Sequence, residues 1–190
     1  MNADEVMNKL MEGNSRFVSG NMSQKNFGPR REELKSGQHP MATVVCCSDS
    51  RVVPEFIFDV GLGDIFTVVS AGNVVDKIGI GSVEYAVGHL HTPVLVVMGH
   101  EKCGAVKAAY NNHSESNITA IVKKIAPAAK KAKKGADEAT ECEVAANFNV
   151  KAVIRKLKSS PIVKEKLEKG ELKIVGLKYH LDGTLEVVSK

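Results

Sequence analysis

Three short runs of apolar, mostly β-branched residues constrain the fold of this chain more than any other feature. The runs occupy residues 41–46, 65–69 and 94–98, and their length and composition indicate buried strands. Between them, residues 53–60 and 81–90 have the pattern of helices. Strands that alternate with helices are typical of βαβ units, so the sequence predicts a parallel sheet with helices on its faces.

The N-terminal part of the chain is predicted to be mainly helical. Apolar side chains recur at roughly helical spacing through residues 3–18, which predicts an amphipathic helix. Residues 21–31 are polar and contain Gly and Pro, which predicts a loop before a short helix that ends near Gly37. We therefore expect an N-terminal helical arm of about residues 1–37.

Helices are also predicted after the third strand. One begins at residues 105–110, and residues 117–158 predict one or two long helices, interrupted near Pro127 and Gly135. A further short helix is predicted to begin at Pro161, because proline is tolerated in the first turn, where its missing N–H has no partner anyway.

The C-terminal segment predicts a β-hairpin. Two apolar segments, 172–177 and 185–188, are joined across Asp182-Gly183, which is a hairpin-turn signal. The fold prediction is therefore one α/β domain over residues 1–190. Its central sheet is expected to be mainly parallel, with about four parallel strands plus an antiparallel edge, flanked by helices.

The composition excludes several classes of protein. Apolar residues make up 43% of the chain and charged residues 25%, which excludes a disordered chain, a collagen-like chain and a disulfide scaffold. No apolar run approaches the length of a membrane span. The first ten residues include Asp4, Glu5 and Lys9 and lack the apolar stretch of a signal peptide. We therefore expect a cytoplasmic protein without a membrane partner.

A lysine-rich segment raises the question of a nucleic-acid partner. Six lysines fall within residues 123–134, interleaved with alanines and without an aromatic residue. Nucleic-acid binders commonly add a stacking platform or a recognised motif, and this segment has neither. We interpret the lysines as a solvated helix face and predict no nucleic-acid partner. Salt-dependent binding of nucleic acid by this segment is the test of the alternative.

The chemically distinctive residues follow the first and third predicted strands. Cys47 comes directly after the first, and His100 and Cys103 follow the third. Loops at the carboxyl ends of parallel strands converge, so these three side chains can meet. Two thiolates and one imidazole form a zinc donor set, and three protein ligands leave the fourth position that catalytic zinc sites keep for water.

The other cysteines are poor candidates for a fourth ligand. Cys46 is adjacent to Cys47 on a strand and should face the opposite side of the sheet. Cys142 lies in a helical stretch, where we expect a small buried apolar residue.

Each part of this pattern has a plainer interpretation when it is taken alone. A buried cysteine usually serves packing, and an isolated His-x-x-Cys is weak support for a metal site. Asp49 and Arg51, which follow Cys47, could form an ordinary surface ion pair. The occurrence of all these features after neighbouring strands is what favours a catalytic centre.

Residues 38–110 closely resemble the β-class carbonic anhydrases. The resemblance rests on Cys-Ser-Asp-Ser-Arg at residues 47–51 and on His-x-x-Cys-Gly at residues 100–104. Weaker similarity extends over the C-terminal hairpin, so most of the chain is covered. Further similar strings are Gly63-Asp64-Ile65-Phe66, Ala71-Gly72-Asn73, Glu84-Tyr85-Ala86-Val87 and the N-terminal Gly13-Asn14-x-Arg16-Phe17.

The resemblance implies an activity and a set of site residues. The activity is the zinc-dependent, reversible hydration of carbon dioxide to bicarbonate and a proton, which makes the chain a lyase with one Zn²⁺ per subunit. Cys47, His100 and Cys103 are implied as metal ligands. Asp49 and Arg51 are implied as the catalytic pair, in which the arginine keeps the carboxylate ionised and away from the metal.

The resemblance is to the plant-type branch of the family, because Gln38 lies nine positions before Cys47 in Gly-Gln-x-Pro. In that branch the matching glutamine lines the substrate pocket together with residues that match Phe66, Ala71 and Tyr85. The glutamine and the aromatic residues can be contributed across a dimer interface. We therefore expect a homodimer or a higher assembly of dimers that acts on a small-molecule substrate, carbon dioxide or bicarbonate.

Two positions depart from the family pattern. Val69-Ser70 replaces the usual Arg-Asn, and Glu101 replaces the usual Ser, which puts a carboxylate beside His100 in the sequence. Neither change removes a predicted ligand.

Other functions on the same residues must be weighed against this prediction. The same scaffold can hydrolyse carbon disulfide or carbonyl sulfide, which are isosteres of carbon dioxide, and motifs at the metal cannot separate these substrates. A structural zinc or redox protein requires a fourth protein ligand or a Cys-x-x-Cys pair, which the chain lacks. A zinc deaminase is disfavoured because no Pro-Cys-x-x-Cys follows the His-x-Glu string at residues 113–115.

Overall fold

The computed structural model describes residues 1–189. These residues form eight α-helices and one sheet of five strands. The strands are Ala42–Cys46 (β1), Ile65–Val69 (β2), Val94–His100 (β3), Lys173–Tyr179 (β4) and Leu185–Ser189 (β5). The helices are Ala3–Val18 (α1), Phe27–Glu33 (α2), Pro54–Ile57 (α3), Lys77–Gly88 (α4), Gly104–Tyr110 (α5), Ile118–Ala132 (α6), Glu138–Lys158 (α7) and Pro161–Glu168 (α8). Short 3₁₀ turns occur at Leu34–Ser36 and Ala71–Asn73.

The sheet has the strand order β2-β1-β3-β4-β5. The first four strands in this order are parallel, and β5 is antiparallel to β4, so the predicted fold class is confirmed. The chain runs from β1 to β2 on one side and then to β3 on the other side of β1. This reversal is a topological switch point, the place where open α/β sheets bind ligands at the carboxyl ends of their strands.

Helices cover both faces of the sheet. On one face, Val6 and Leu10 of α1 pack in the same cluster as Val44 of β1. On the other face, Val45 of β1 packs in a cluster with residues of α4, α7 and α8. Every residue of β1 and β3 is buried, because a parallel sheet covered on two faces has no solvated side.

A third apolar cluster lies beyond the carboxyl ends of β1 and β3. It contains Cys47 and Cys103 together with buried residues of α5, α6 and α7. Cys46 belongs instead to the cluster beneath α1, so the two adjacent cysteines face opposite sides of the sheet, as predicted. The metal-ligating candidates are therefore built into a packed shell of helices.

The helix boundaries differ from the sequence predictions at α2 and α6. Residues 27–31 were predicted as loop but form most of α2, since Pro29 falls in the first helical turn, where a missing N–H costs little. Pro127 lies inside α6 without ending it. Its side chain is exposed, while the neighbouring Ile125 and Ala128 are buried, so tertiary packing maintains the helix across the proline.

Two further predictions are corrected by the structure. Helix α4 begins at Lys77 rather than near residue 81, because the Asp76 side chain accepts a hydrogen bond from the Gly79 amide and caps the helix. Cys142 is partly exposed rather than buried, since it lies on a solvent-facing side of α7.

Across the described residues, no helix combines the length and apolar character needed to cross a bilayer.

Candidate metal centre

Two cysteines and one histidine meet at the carboxyl ends of β1 and β3. Cys47 directly follows β1, His100 ends β3, and Cys103 precedes the first residue of α5. One sulfur or nitrogen atom from each side chain lies within 4.8 Å of the other two. All three residues are at most 5% exposed. The protein around them would therefore shield a cation held between the three side chains from bulk water.

The imidazole of His100 has one satisfied and one unsatisfied nitrogen. Nδ1 lies 2.9 Å from the backbone carbonyl of Glu101, which fixes the orientation of the ring. Nε2 is buried and has no hydrogen-bond partner within residues 1–189. A histidine that bonds a carbonyl through one nitrogen and leaves the other free beside two sulfurs has the arrangement of a metal ligand.

The two thiols have opposite tendencies to ionise. The neighbouring Cys103 thiol, together with the Gly72 amide, holds the pKa of the Cys47 thiol well below its usual range. The same contact with Cys47, together with burial, raises the pKa of Cys103. Two thiolates so close to each other would repel, and a bound cation is the group that allows both to be ionised.

The 3₁₀ turn after β2 contributes a backbone donor to this cluster. The Gly72 amide donates to Cys47 Sγ over 3.2 Å. Gly72 has a φ of 66°, and a Cβ at this position would lie 2.6 Å from Cδ1 of Ile125 and 3.0 Å from Cβ of Ala105. Both the left-handed backbone and the close packing therefore require glycine here.

Asp49 and Arg51 form a two-point ion pair beside the cluster. Arg51 Nε donates to Asp49 Oδ1 over 2.8 Å, and Nη2 donates to Oδ2 over 2.7 Å. These bonds hold the pKa of the Asp49 carboxyl well below its ordinary value. Asp49 Oδ2 lies 4.0 Å from His100 Nε2, so the carboxylate faces the cluster while Arg51 holds it from the other side.

The predicted pocket residues fall into two groups. The rings of Phe66 on β2 and Tyr85 on α4 are neighbours, with centroids 6.2 Å apart, and Ala71 begins the turn that contains Gly72. Gln38 lies in the exposed segment before β1, and no hydrogen bond within residues 1–189 involves its side chain. The structure also brings the ring of His89 close to that of Tyr85, with the two centroids 5.6 Å apart. The i, i+4 spacing of the two residues could have indicated this contact.

The structure shows the contacts of the residues that depart from the family pattern. The Glu101 carboxylate turns away to the β4–β5 hairpin, where Oε1 accepts from the Leu181 amide over 3.0 Å and Oε2 lies 3.3 Å from His180 Nδ1. Val69 is half exposed at the end of β2, and the Ser70 hydroxyl donates to the Val74 carbonyl. Glu101 therefore braces the hairpin, and Ser70 braces the turn after β2.

Sequence reasoning missed two side chains of α7 that contact the loops of the candidate centre. Asn149 donates from Nδ2 to the Gly72 carbonyl over 2.8 Å. Glu143 accepts from the Lys102 amide over 2.8 Å and is paired with Lys178 over 2.6 Å. Polar residues on a long helix with a mixed surface carry no sequence signal for such contacts, because they depend on how the helix packs.

Comparison with known proteins agrees with the geometry. The sequence model of the family described as "Carbonic anhydrase" matches residues 42–185. The carbonic anhydrase of Mycolicibacterium smegmatis is 40% identical over 188 residues, which is 95% of this chain and 90% of that protein.

Solved structures lead to the same family. The β-carbonic anhydrase CcaA superposes with a TM-score of 0.78 at 26% identity and covers 96% of this chain and 87% of its own. One chain from a study of two tetrameric β-carbonic anhydrases of Sordaria macrospora superposes with a TM-score of 0.77 at 25% identity, over 86% of this chain and 88% of its own. The match in sequence and fold shows that this chain belongs to the β-class carbonic anhydrases, lyases that hydrate carbon dioxide.

Proposed function

We propose that the chain hydrates carbon dioxide reversibly to bicarbonate and a proton with the help of one Zn²⁺ per subunit, held by Cys47, His100 and Cys103. The observation that carries the proposal is the buried, unpartnered Nε2 of His100 facing two thiols within 4.8 Å. Thiolate and imidazole ligands favour zinc over the hard cations, and three ligands match catalytic rather than structural zinc.

In the proposed mechanism the metal supplies the nucleophile, and residues of the chain hold and orient it. When bound by Cys47, His100 and Cys103, Zn²⁺ would lower the pKa of a water molecule and so supply a nucleophile near neutral pH. Asp49 accepts a hydrogen bond from the attacking water and orients it, because an ionised carboxylate can only accept. Arg51 keeps Asp49 ionised and positioned by its two-point contact.

The substrate is small and apolar, and the proposed pocket wall suits it. In the proposed site, Phe66, Ala71 and Tyr85 form the apolar part of the pocket wall, while Gln38 supplies a polar contact for an oxygen atom of the substrate. The exposure of Gln38 on its own subunit supports a contribution across a subunit interface. The wall then excludes bulk water and leaves the catalytic carboxylate as the main polar group.

We propose that two copies of the chain associate through the β2 edge of the sheet. Strand β2 is an edge strand with unpaired backbone groups, and four of its five residues are apolar, although three of these are only partly buried and Val69 is exposed. Ile78 on the neighbouring α4 is 79% exposed, and a groove of about 520 Å³ runs between this residue and β2. An apolar edge of this kind is typical of a covered interface, and a second copy would also bring Gln38 to the partner's pocket.

The decisive experiment is stopped-flow hydration of carbon dioxide on protein of measured zinc content. We expect activity in proportion to bound zinc, with one ion per chain, and loss of activity on chelation that zinc restores. Hydrolysis of carbon disulfide and carbonyl sulfide, measured on the same samples, tests the alternative substrates. A zinc-loaded protein that is inactive with carbon dioxide between pH 6 and 9 would overturn the proposal. Assignment to the plant-type branch and a cytoplasmic location stay predictions.

A further inference from the structure

Helix α7 is linked to Cys47 through a single residue of the turn after β2. The buried Asn149 donates from Nδ2 to the Gly72 carbonyl over 2.8 Å. The amide of the same Gly72 donates to Cys47 Sγ over 3.2 Å. The Asn149 amide, the Gly72 peptide groups and the Cys47 sulfur therefore form one continuous chain of hydrogen bonds.

The turn needs support from outside its own backbone. Gly72 has a φ of 66° and Asn73 a φ of 46°, so two successive residues adopt the left-handed conformation. For a residue with a Cβ, such as Asn73, this conformation is sparsely populated and persists only where the surroundings impose it. The turn itself supplies a hydrogen bond from the Asn73 amide to the Ser70 carbonyl over 3.0 Å. Asn149 supplies the contact that fixes the Gly72 carbonyl.

Helix α7 also packs closely on the strand that carries His100. A Cβ at Gly99 would lie 2.7 Å from Cγ2 of Val150, the residue next to Asn149. One rigid helix thus contacts both the turn that faces Cys47 and the strand that ends at His100. The close packing of α7 on the strand keeps the strand in place, because close-packed interiors shift little. Loss of the Asn149 contact would therefore move the turn relative to this strand.

We propose that Asn149 is a positioning residue that holds the Gly72 amide on Cys47 Sγ and thereby strengthens metal retention. The inference rests on the proposed function, because it assumes that Cys47 binds the metal. A hydrogen bond from an amide to a thiolate stabilises the charged sulfur in a buried site. Loss of such an outer contact typically lowers metal affinity or activity by about 10–100-fold.

The test compares two asparagines that make the same kind of contact. Asn149→Ala removes the donor to Gly72. Asn14→Ala is the matched control, because Asn14 is also buried and donates from Nδ2 to the backbone carbonyls of Ile57 and Gly183 over 3.1 and 2.8 Å. Both variants lose buried hydrogen bonds to carbonyls, but only the first loses a contact to the turn at the candidate centre.

Three readouts separate positioning from general stability. Competition with a chelator should show a zinc dissociation constant about 10–100-fold higher for Asn149→Ala and unchanged for Asn14→Ala. In the cobalt-substituted protein, the thiolate-to-metal absorption band should shift only in Asn149→Ala. In the wild-type protein, the Gly72 amide should exchange slowly with solvent and should exchange faster in Asn149→Ala.

Each alternative outcome has a definite meaning. Equal zinc affinities and spectra for wild type and Asn149→Ala would overturn the proposal, and so would equal losses in both variants, which would indicate general destabilisation. If Asn149→Ala does not fold, rapid exchange of the Gly72 amide in the zinc-bound wild type would overturn it, whereas slow exchange would support it. A wild-type protein that binds no zinc would overturn the proposed function and this inference together.

Discussion

Arg51 holds Asp49 at both carboxylate oxygens, with donor–acceptor distances of 2.8 and 2.7 Å. The Arg51 amide adds a third hydrogen bond to Asp49 Oδ1 over 3.0 Å. The carboxylate is thus fixed from one side, while its Oδ2 faces His100 Nε2 at 4.0 Å on the other. The orientation of the Asp49 carboxylate is therefore fixed by the Arg51 side chain and by the Arg51 backbone amide.

Asp49→Asn should abolish most of the hydration activity without releasing the metal. The amide keeps the size of the side chain, but one of its two terminal groups can donate, so it no longer fixes the attacking water as an acceptor-only carboxylate does. We expect kcat to fall by about 100-fold or more, the loss typical of removing one preorganised hydrogen-bonding group. Stopped-flow rates and zinc content are measured together, with Asp182→Asn on the hairpin as control. Near-normal turnover would refute the proposed role of Asp49.

Arg51→Lys should produce a smaller defect than Asp49→Asn. Lysine retains the positive charge but offers a compact ammonium group instead of a planar fork, so it cannot contact both oxygens in the same geometry. We expect kcat to fall by about 10-fold. Arg51→Ala should be more severe, since the carboxylate then loses both side-chain contacts. The comparison needs stopped-flow rates at matched zinc content, and equal rates for wild type and both variants would contradict the positioning of Asp49 by Arg51.

The sequence predicted the positions of the strands because those features are local. The prediction that residues 65–69 form a buried strand was wrong, because β2 lies at the edge of the sheet and its residues are partly or half exposed. The β-branched runs of β1, β2 and β3 lie between helical patterns, and the Asp182-Gly183 signal falls in the connection between β4 and β5. The proximity of Cys47 to His100 followed from a general property of parallel sheets, whose loops converge at the carboxyl ends. Periodicity and turn chemistry were sufficient for the strands and the hairpin, and the general geometry of parallel sheets was sufficient for the site.

Contacts made by long helices could not be predicted in the same way. Asn149 bonds to Gly72 in the turn after β2, although it lies 77 positions later in the chain. Nothing in the local sequence pattern distinguishes Asn149 from Asn147. The hydrogen bonds of Glu101 with the hairpin likewise depend on the tertiary position of Leu181. The persistence of α6 across Pro127 has the same origin, since packing rather than propensity decides it.

The buried carboxylate of Asp59 should be a major determinant of stability. It pairs with Arg16 and with Lys25, and it also accepts from the amide and hydroxyl of Ser23, so it ties α1 and the following loop to the body of the domain. Asp59→Asn should lower the free energy of unfolding by about 2–4 kcal/mol, because it leaves the cations without their buried partner. Urea denaturation measures the change. Asp4→Asn breaks an exposed pair and should cost less than about 1 kcal/mol, so equal effects would contradict this role.

The protein should lose stability at acid pH through Glu141. Its carboxylate accepts a hydrogen bond from the Tyr110 hydroxyl over 2.6 Å and bonds from the backbone amides of residues 134–136, and these lower its pKa to about 2. Because this pKa lies below the value in the unfolded chain, the unfolded state binds the proton first. The stabilisation is therefore complete above about pH 5 and is lost as the pH falls towards about 2.

Urea midpoints measured between pH 7 and pH 3 test this contribution. Glu141→Gln should be less stable at pH 7 and should show a shallower fall in stability as the pH is lowered. Glu168→Gln, which changes an exposed residue of α8, should follow the wild-type curve. A wild-type slope that is unchanged in Glu141→Gln would refute the assignment.

Ile78→Asp should convert the assembled protein into monomers. Ile78 lies beside the β2 edge and is 79% exposed, so in the proposed dimer the substitution would bury an unpaired charge in an apolar interface. Val187→Asp changes an exposed apolar residue of β5, at the opposite edge of the sheet, and should leave the dimer intact. Sedimentation velocity measures the mass, and zinc content and hydration rate are measured on the same samples. Because the proposed pocket needs Gln38 from the partner, the monomer should keep its zinc but lose most of its activity. An Ile78→Asp protein that sediments like wild type would exclude this edge as the interface, and a fully active monomer would exclude a contribution across it.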